Sequence, residues 1–248
     1  MGTEPAPAPL SQLPDSIDGV IQRMKQLDAE LDARDGVAAF NRMYLRVTEL
    51  VGSKLIDGFF QDTAFIERMD VIFADLFFRN VDAAKAGRPV NPAWQPLIDA
   101  RRRGAAIWPI QFAFAGMTAH IGHDLALAVI LACEERHTKP NTPPVHADYQ
   151  KVNQLLSQVE AEVRAAFEPE LLKLATTDAE ALKHLLASFS MEAARDAAWI
   201  AVQGLWAQKK EPFAIPGFEL SCQALAASVG LTAQALLALV APVAPPNA

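Results

Sequence analysis

The chain has 248 residues, 51% of them hydrophobic and 21% charged, and a formal net charge of −7. This is enough apolar material for a sizeable core and too much for a disordered chain. The acidic balance offers no basic face for phosphate backbones, so no nucleic-acid partner is expected. Its two cysteines, Cys133 and Cys222, stand too far apart for a metal or redox motif and argue against a disulfide scaffold.

Residues 1–14 (MGTEPAPAPLSQLP) have no basic stretch followed by an apolar one, and so do not read as a signal peptide. They read as a disordered Pro/Ala tail, as do residues 241–248 at the other end. Between them, residues 15–240 break into helical blocks with no alternating strand pattern. From Asp15 to Ala33 an apolar stripe runs through Ile17, Val20, Met24, Leu27 and Leu31. Asp35 follows as the cap of a second helix reaching about Leu55, and Asp62-Thr63 opens a third that carries Phe65, Met69, Ile72, Phe73 and Phe77. The loop KAGRPVNPAWQP then leads to a short helix ending at Arg101-Arg102-Arg103-Gly104.

The segment Ile107–Cys133 is almost free of charge, with Pro109 tolerated in its first turn. It is long enough to cross a bilayer, but a His-Asp turn sits in its middle and its flanks do not resemble membrane anchors. It is therefore read as a buried helix, with no membrane span and a cytoplasmic, bacterial-type setting. After a proline-dense loop, a sixth helix is expected from Ala147 to Leu174 and a seventh from Asp178 to Gln208. The last block, Leu220–Val240, is expected to split near Gly230-Leu231-Thr232. The expected fold is all-α: a single-domain antiparallel helical bundle of about seven to nine helices.

The strongest site signal is Ala119-His120-Ile121-Gly122-His123-Asp124-Leu125, which sets two imidazoles and a carboxylate inside an apolar run. Buried ionisable groups cost several kcal/mol unless paired. On a helix His120 and Asp124 are i, i+4 and His120 and His123 are i, i+3, so all three can face one side. A carboxylate beside an imidazole fixes its tautomer and raises its basicity, which suits a general acid or base. The same spacing would suit metal ligation by His120 and Asp124, completed from Asp70, Glu67 or Glu192, or a purely structural pair.

Other helices also carry polar groups on apolar faces. Asp70 lies among Met69, Val71 and Phe73; Asn41, Tyr44 and Thr48 form a line on the second helix; Glu192, Arg195 and Trp199 share a face of the seventh. Arg195 is the natural cation for Asp70 or Asp124. No phosphate loop, nucleophile elbow, His-Glu-x-x-His or Glu-x-x-His pair is present, and no aspartate-rich diphosphate motif.

The stretch Gly116-Met117-Thr118-Ala119-His120-Ile121-Gly122-His123-Asp124-Leu125 resembles an uncharacterised bacterial all-helical family with a Gly-Met-Asn-Ala-His-Ile-Asn-x-Asp-Leu motif. The likeness extends over about residues 17 to 206, with Thr118 and Gly122 in place of the two asparagines; Gly122 is expected to leave space on its face of the helix. Such a resemblance implies a fold and a focus on His120 and Asp124 but no activity.

Three functions are therefore weighed. In the first, an enzyme of cyclase, isomerase or hydrolase type acts on an apolar small molecule by acid/base chemistry and needs no cofactor. His120 is its acid or base, Asp124 the orienter, Asp70 and Arg195 a supporting charge pair, and Tyr44, Asn41, Phe73, Trp199, Phe112 and His123 line the substrate. The second is a non-catalytic binding or scaffold bundle, and the third a metal enzyme using His120, Asp124, Asp70 and Glu192. Self-association into a homo-oligomer is left open.

Overall fold

In the computed structural model, residues 14–104, 106–172, 180, 184, 190–209 and 215–238 are described. All the long elements among them are helices: α1 (Ile17–Glu30), α2 (Gly36–Lys54), α3 (Thr63–Lys85), α4 (Gln95–Ala100), α5 (Pro109–Ala119), α6 (Leu125–Glu135), α7 (Val145–Leu172), α8 (Met191–Lys209) and α9 (Ile215–Ala238). A π turn (His120–Asp124) joins α5 to α6. The fold is thus all-α, as composition and periodicity predict. Both expected tails fall outside the described residues apart from Pro14, as does most of the stretch from 173 to 189, where the seventh helix was expected to begin.

Local chemistry sets the helix starts. Ser16 Oγ accepts from Gly19 N–H at 3.2 Å, Asp35 Oδ1 from Val37 N–H at 2.8 Å, and Asp62 Oδ1 from Phe65 N–H at 2.9 Å. Each satisfies a donor that a first turn leaves open. Buried Asp148 then ties α7 to the start of α3, its carboxylate accepting from the backbone N–H groups of Gln61 and Asp62.

The apolar segment formed by α5, the π turn and α6 is the axis of the molecule. Around it pack α2, α3, α8 and α9, and their side chains merge into one buried cluster running from Ile17 to Leu237. Small residues allow the closest approaches. A Cβ on Gly116 would fall 2.3 Å from the Phe40 ring, so this glycine lets Phe40 of α2 lie directly on α5.

Two expectations are corrected. The last block does not split at Gly230: α9 runs unbroken to Ala238. A Cβ on Gly230 would sit 2.3 Å from the Pro92 carbonyl oxygen, so this glycine serves contact with the loop before α4 and ends no helix. The expectation of no membrane span is also overturned. Two stretches, Pro109–Glu135 and Pro216–Ala238, are long and apolar enough to cross a membrane, each with a mean hydropathy of 1.4 over its best window. In the first, 78% of that window is buried inside the protein; in the second, 22% is. The polar His120–Asp124 turn does not lower the average of the first stretch enough, because alanine, leucine and isoleucine surround it.

Candidate functional site

His120 to Asp124 wind as a π turn, in which Leu125 N–H reaches back five residues to the His120 carbonyl. Single π turns within α-helices occur frequently at functional sites. Here the turn brings both imidazoles onto one carboxylate. Asp124 Oδ2 is 3.1 Å from His120 Nδ1 and accepts from Trp94 Nε1 at 2.8 Å, while Oδ1 is 2.7 Å from His123 Nδ1. All four side chains are buried.

The electrostatics follow from this geometry. Burial pushes the Asp124 carboxyl up, but the hydrogen bonds from His120 and His123, with the charges of the same rings, outweigh it and hold the carboxyl below its ordinary range. An ionised carboxylate only accepts. His120 must therefore carry its proton on Nδ1, leaving a lone pair on Nε2. Burial also lowers the His120 pKa, more than the Asp124 hydrogen bond and charge restore. The ring is neutral at neutral pH, and its Nε2 is buried with no hydrogen-bond partner.

Aromatic rings fix that nitrogen's direction. Phe73 stacks face to face on His120 with centroids 3.5 Å apart, and Tyr44 meets it edge-on at 4.4 Å. Phe40 and Trp94 pack at 5.6 and 5.9 Å. Beside the ring lies a narrow cavity of about 50 Å³, walled by Tyr44, Asp70, Phe73, His120, Arg195 and four methionines, Met43, Met69, Met117 and Met191. Such a volume holds a few waters or the end of a small molecule, and methionine walls adapt readily to a larger guest.

Two more polar atoms on this cavity lack hydrogen-bond partners among the described residues: the Tyr44 hydroxyl and Asp70 Oδ2. Burial raises the Asp70 carboxyl to about 7, with the Arg195 charge pulling it back and Glu67 adding to the rise. Burial and the nearby Asp70 also push the Tyr44 hydroxyl well above its ordinary value. Thus a lone-pair acceptor, a phenol and a carboxyl that is protonated about half the time at neutral pH share one small apolar space.

The structure brings His120, Asp124, Asp70, Tyr44, Phe73 and Arg195 together and places the other expected residues elsewhere. Among the described residues Arg195 hydrogen-bonds no carboxylate: its Nε donates to Asn153 Oδ1 and an Nη to the Tyr149 carbonyl, both at 2.7 Å, with the guanidinium over the Tyr149 ring, while its charge acts on Asp70 without a direct contact. Asn41 donates to the Met24 carbonyl and so joins α2 to α1. Trp199 stacks on His146, and Phe112 packs on Gly36 beside a different cleft. His123 holds Asp124 at Oδ1 and is not among the residues that wall the cavity.

Glu67 accepts from Ile17 N–H and Glu192 is exposed, so the four-residue metal set does not assemble. Among the described residues no three His, Cys, Asp or Glu side chains converge as metal donors. The space expected beside Gly122 is filled by Val229 of α9, whose Cγ2 would lie 3.1 Å from an added Cβ. Sequence reasoning missed Trp94, fully buried and bonded to Asp124 across 30 residues. Its one signal was its place in a proline-flanked loop that a buried indole would have to anchor.

A family of unknown function, DUF5995, matches over residues 17–239, and the chain belongs to that family. Neither a curated protein nor a solved structure matches it.

Proposed function

We propose that this protein is an enzyme performing general acid/base chemistry on an apolar small molecule, with His120 Nε2 as the base. The observation that carries the reading is a buried, unpartnered imidazole nitrogen at the wall of an apolar cavity. An idle buried acceptor costs about 1–3 kcal/mol, and a bound molecule with a donor or an acidic C–H would relieve that cost. Asp124 orients the ring and stabilises the imidazolium that forms when Nε2 takes a proton. Tyr44 and protonated Asp70 supply the hydrogen-bond donors that such a reaction needs at an oxygen gaining charge. Isomerase, cyclase and hydrolase chemistry all fit this donor and acceptor set.

A second reading, a non-catalytic bundle, draws on the Trp94–Asp124 hydrogen bond, which pins the loop before α4 to the π turn. Histidine-selective ¹⁵N spectra decide between the two. The enzyme reading expects Nδ1 protonated and Nε2 bare at pH 7, with the Nε2 signal displaced by cyclohexanol, whose hydroxyl can donate to it. A protonated Nε2 in the free protein, or an Nε2 that no small apolar alcohol reaches, would sink it.

A further inference from the structure

Met43 of α2 belongs to two cavities at once. It walls the His120 cavity and also lines a separate cleft of about 320 Å³ between α2 and α5. That volume lies in the usual range for small-molecule sites, roughly 300–1,000 Å³. The cleft is apolar inside, with Ala39, Ile107, Phe112 and Ala113 on its walls. Arg34, Arg42 and Arg46 are exposed along it, and among the described residues Asp35 is the acid on its lining. Asp35 is already engaged, by Arg101 at 2.9 Å and by the Val37 N–H it caps. Arg42 is held by Asp28 and the Ala33 carbonyl, while the Arg34 guanidinium makes no hydrogen bond or ion pair among the described residues. On a chain with a net charge of −7, the Arg34 guanidinium beside one greasy opening, next to the Asp28-held Arg42, is a local concentration of positive charge.

We propose that this cleft binds an apolar molecule with an anionic end, the anion at the Arg34 and Arg42 rim and the body directed past Met43 toward His120. The thioether of Met43 is unbranched and can change rotamer without breaking a hydrogen bond. Its movement would join the cleft to the small inner cavity and admit the far end of the ligand. The cavity beside His120 then needs to hold only that reacting end, in keeping with its size. The entry path rests on the reading of His120 as a working base; binding in the cleft does not.

Calorimetric titration of the intact protein with decanoate, decan-1-ol and butyrate tests the inference, alongside ¹³C-methyl spectra of Met43 and ¹⁵N spectra of His120. Decanoate is expected to bind and to move both the Met43 methyl and His120 Nε2. Butyrate, too short to pass Met43, should leave His120 unmoved. Arg34→Gln with Arg42→Gln, both at exposed positions, should weaken decanoate about five- to ten-fold and leave decan-1-ol unchanged. Equal affinity for the acid and the alcohol, or no decanoate binding, overturns the anion site. Decanoate binding that leaves His120 unmoved at saturation overturns the passage through Met43. The base reading fails separately, by a protonated Nε2 in the ligand-free protein, which would leave the titrations standing.

Discussion

His120 lies flat on Phe73, the two ring planes 6° from parallel. No hydrogen bond could hold the imidazole at that angle, because its only bonded nitrogen is Nδ1 and a single bond leaves the ring free to swing about it. Phe73 therefore sets the plane of the ring that Asp124 anchors at Nδ1. Phe73→Ala should destabilise the fold by about 3–5 kcal/mol, of which the ring pair accounts for about 0.5–1.5 kcal/mol. Urea denaturation measures the total. A cost under about 1 kcal/mol would show that the stack carries no load.

Asp124→Asn keeps the shape and removes the charge. Three N–H groups, from His120, His123 and Trp94, now converge on the carboxylate. An amide offers one oxygen and turns an NH₂ toward one of those donors. At least one buried donor is then stranded, at a cost of about 1–3 kcal/mol. His120 should also lose its single tautomer, which histidine ¹⁵N shifts would register as a mixture. Retention of pure Nδ1–H in Asp124→Asn would show that something other than Asp124 fixes the ring.

Asp70 should make stability fall as pH rises. Its carboxyl, raised to about 7 in the fold, titrates near 3.9 when unfolded. Below about pH 4 both states hold the proton and its contribution is intact. Between about pH 4 and 7 the unfolded chain gives up the proton and the folded chain keeps it. The cumulative loss approaches about 4 kcal/mol above pH 7. Burial of His120 acts in the opposite direction, costing stability as pH drops below about 6.5, where the unfolded imidazole charges first. Asp70→Asn should therefore be more stable than the natural chain at pH 8, with the advantage shrinking toward pH 4. Urea midpoints at four pH values would show it; a constant offset would contradict the raised carboxyl.

The same two groups set the expected activity profile. Under the proposed reaction the base would be competent once His120 is neutral, and its pKa lies below the ordinary imidazole value. The proposed acid would be competent while Asp70 keeps its proton, up to about 7. Acid/base turnover should thus rise with pH on the acid side and fall above about 7, and Asp70→Asn should abolish only the falling limb. His120→Gln should reduce kcat by about 10²- to 10⁴-fold. An alkaline limb that survives Asp70→Asn would remove Asp70 from the chemistry.

Cys133 is fully buried in α6, and burial raises its thiol to about 12. Cys222, partly exposed on α9, is also raised by burial, with the Lys209 charge pulling it back. A maleimide reagent should label Cys222 in the native protein and Cys133 only on unfolding, which mass spectrometry of peptides would resolve. Equal labelling rates would show that α6 opens without global unfolding.

Sequence reading succeeded where the determining contacts are local. Asp35 and Asp62 cap their helices through bonds spanning two or three residues, and His120 and Asp124 meet four residues apart. It failed where a partner arrives from far away. Trp94 reaches Asp124 from a loop, Asn153 and Tyr149 take the hydrogen bonds of Arg195, whose charge reaches Asp70 only at a distance, and Pro92 explains Gly230. Asn41 and Phe112 carry the right chemistry on the right helices, but they point at Met24 and Gly36. Periodicity places a residue on a face without saying what stands opposite.

The π turn has a consequence for every position after it. One residue more than an α-helical turn requires has been accommodated between Ala119 and Leu125, so α6 is rotated by about 100° relative to a straight continuation of α5. A helical wheel drawn through the whole apolar run misassigns the sides of Leu125 to Glu135. Deleting Gly122, the position without a side chain, would heal the helix and leave Cys133, Val129 and their neighbours facing the partners they now touch, while the spacing of His120 and Asp124 would shorten to i, i+3. The segment is two helices that share an axis but differ in phase, and the His120–Asp124 pair sits at the seam between them.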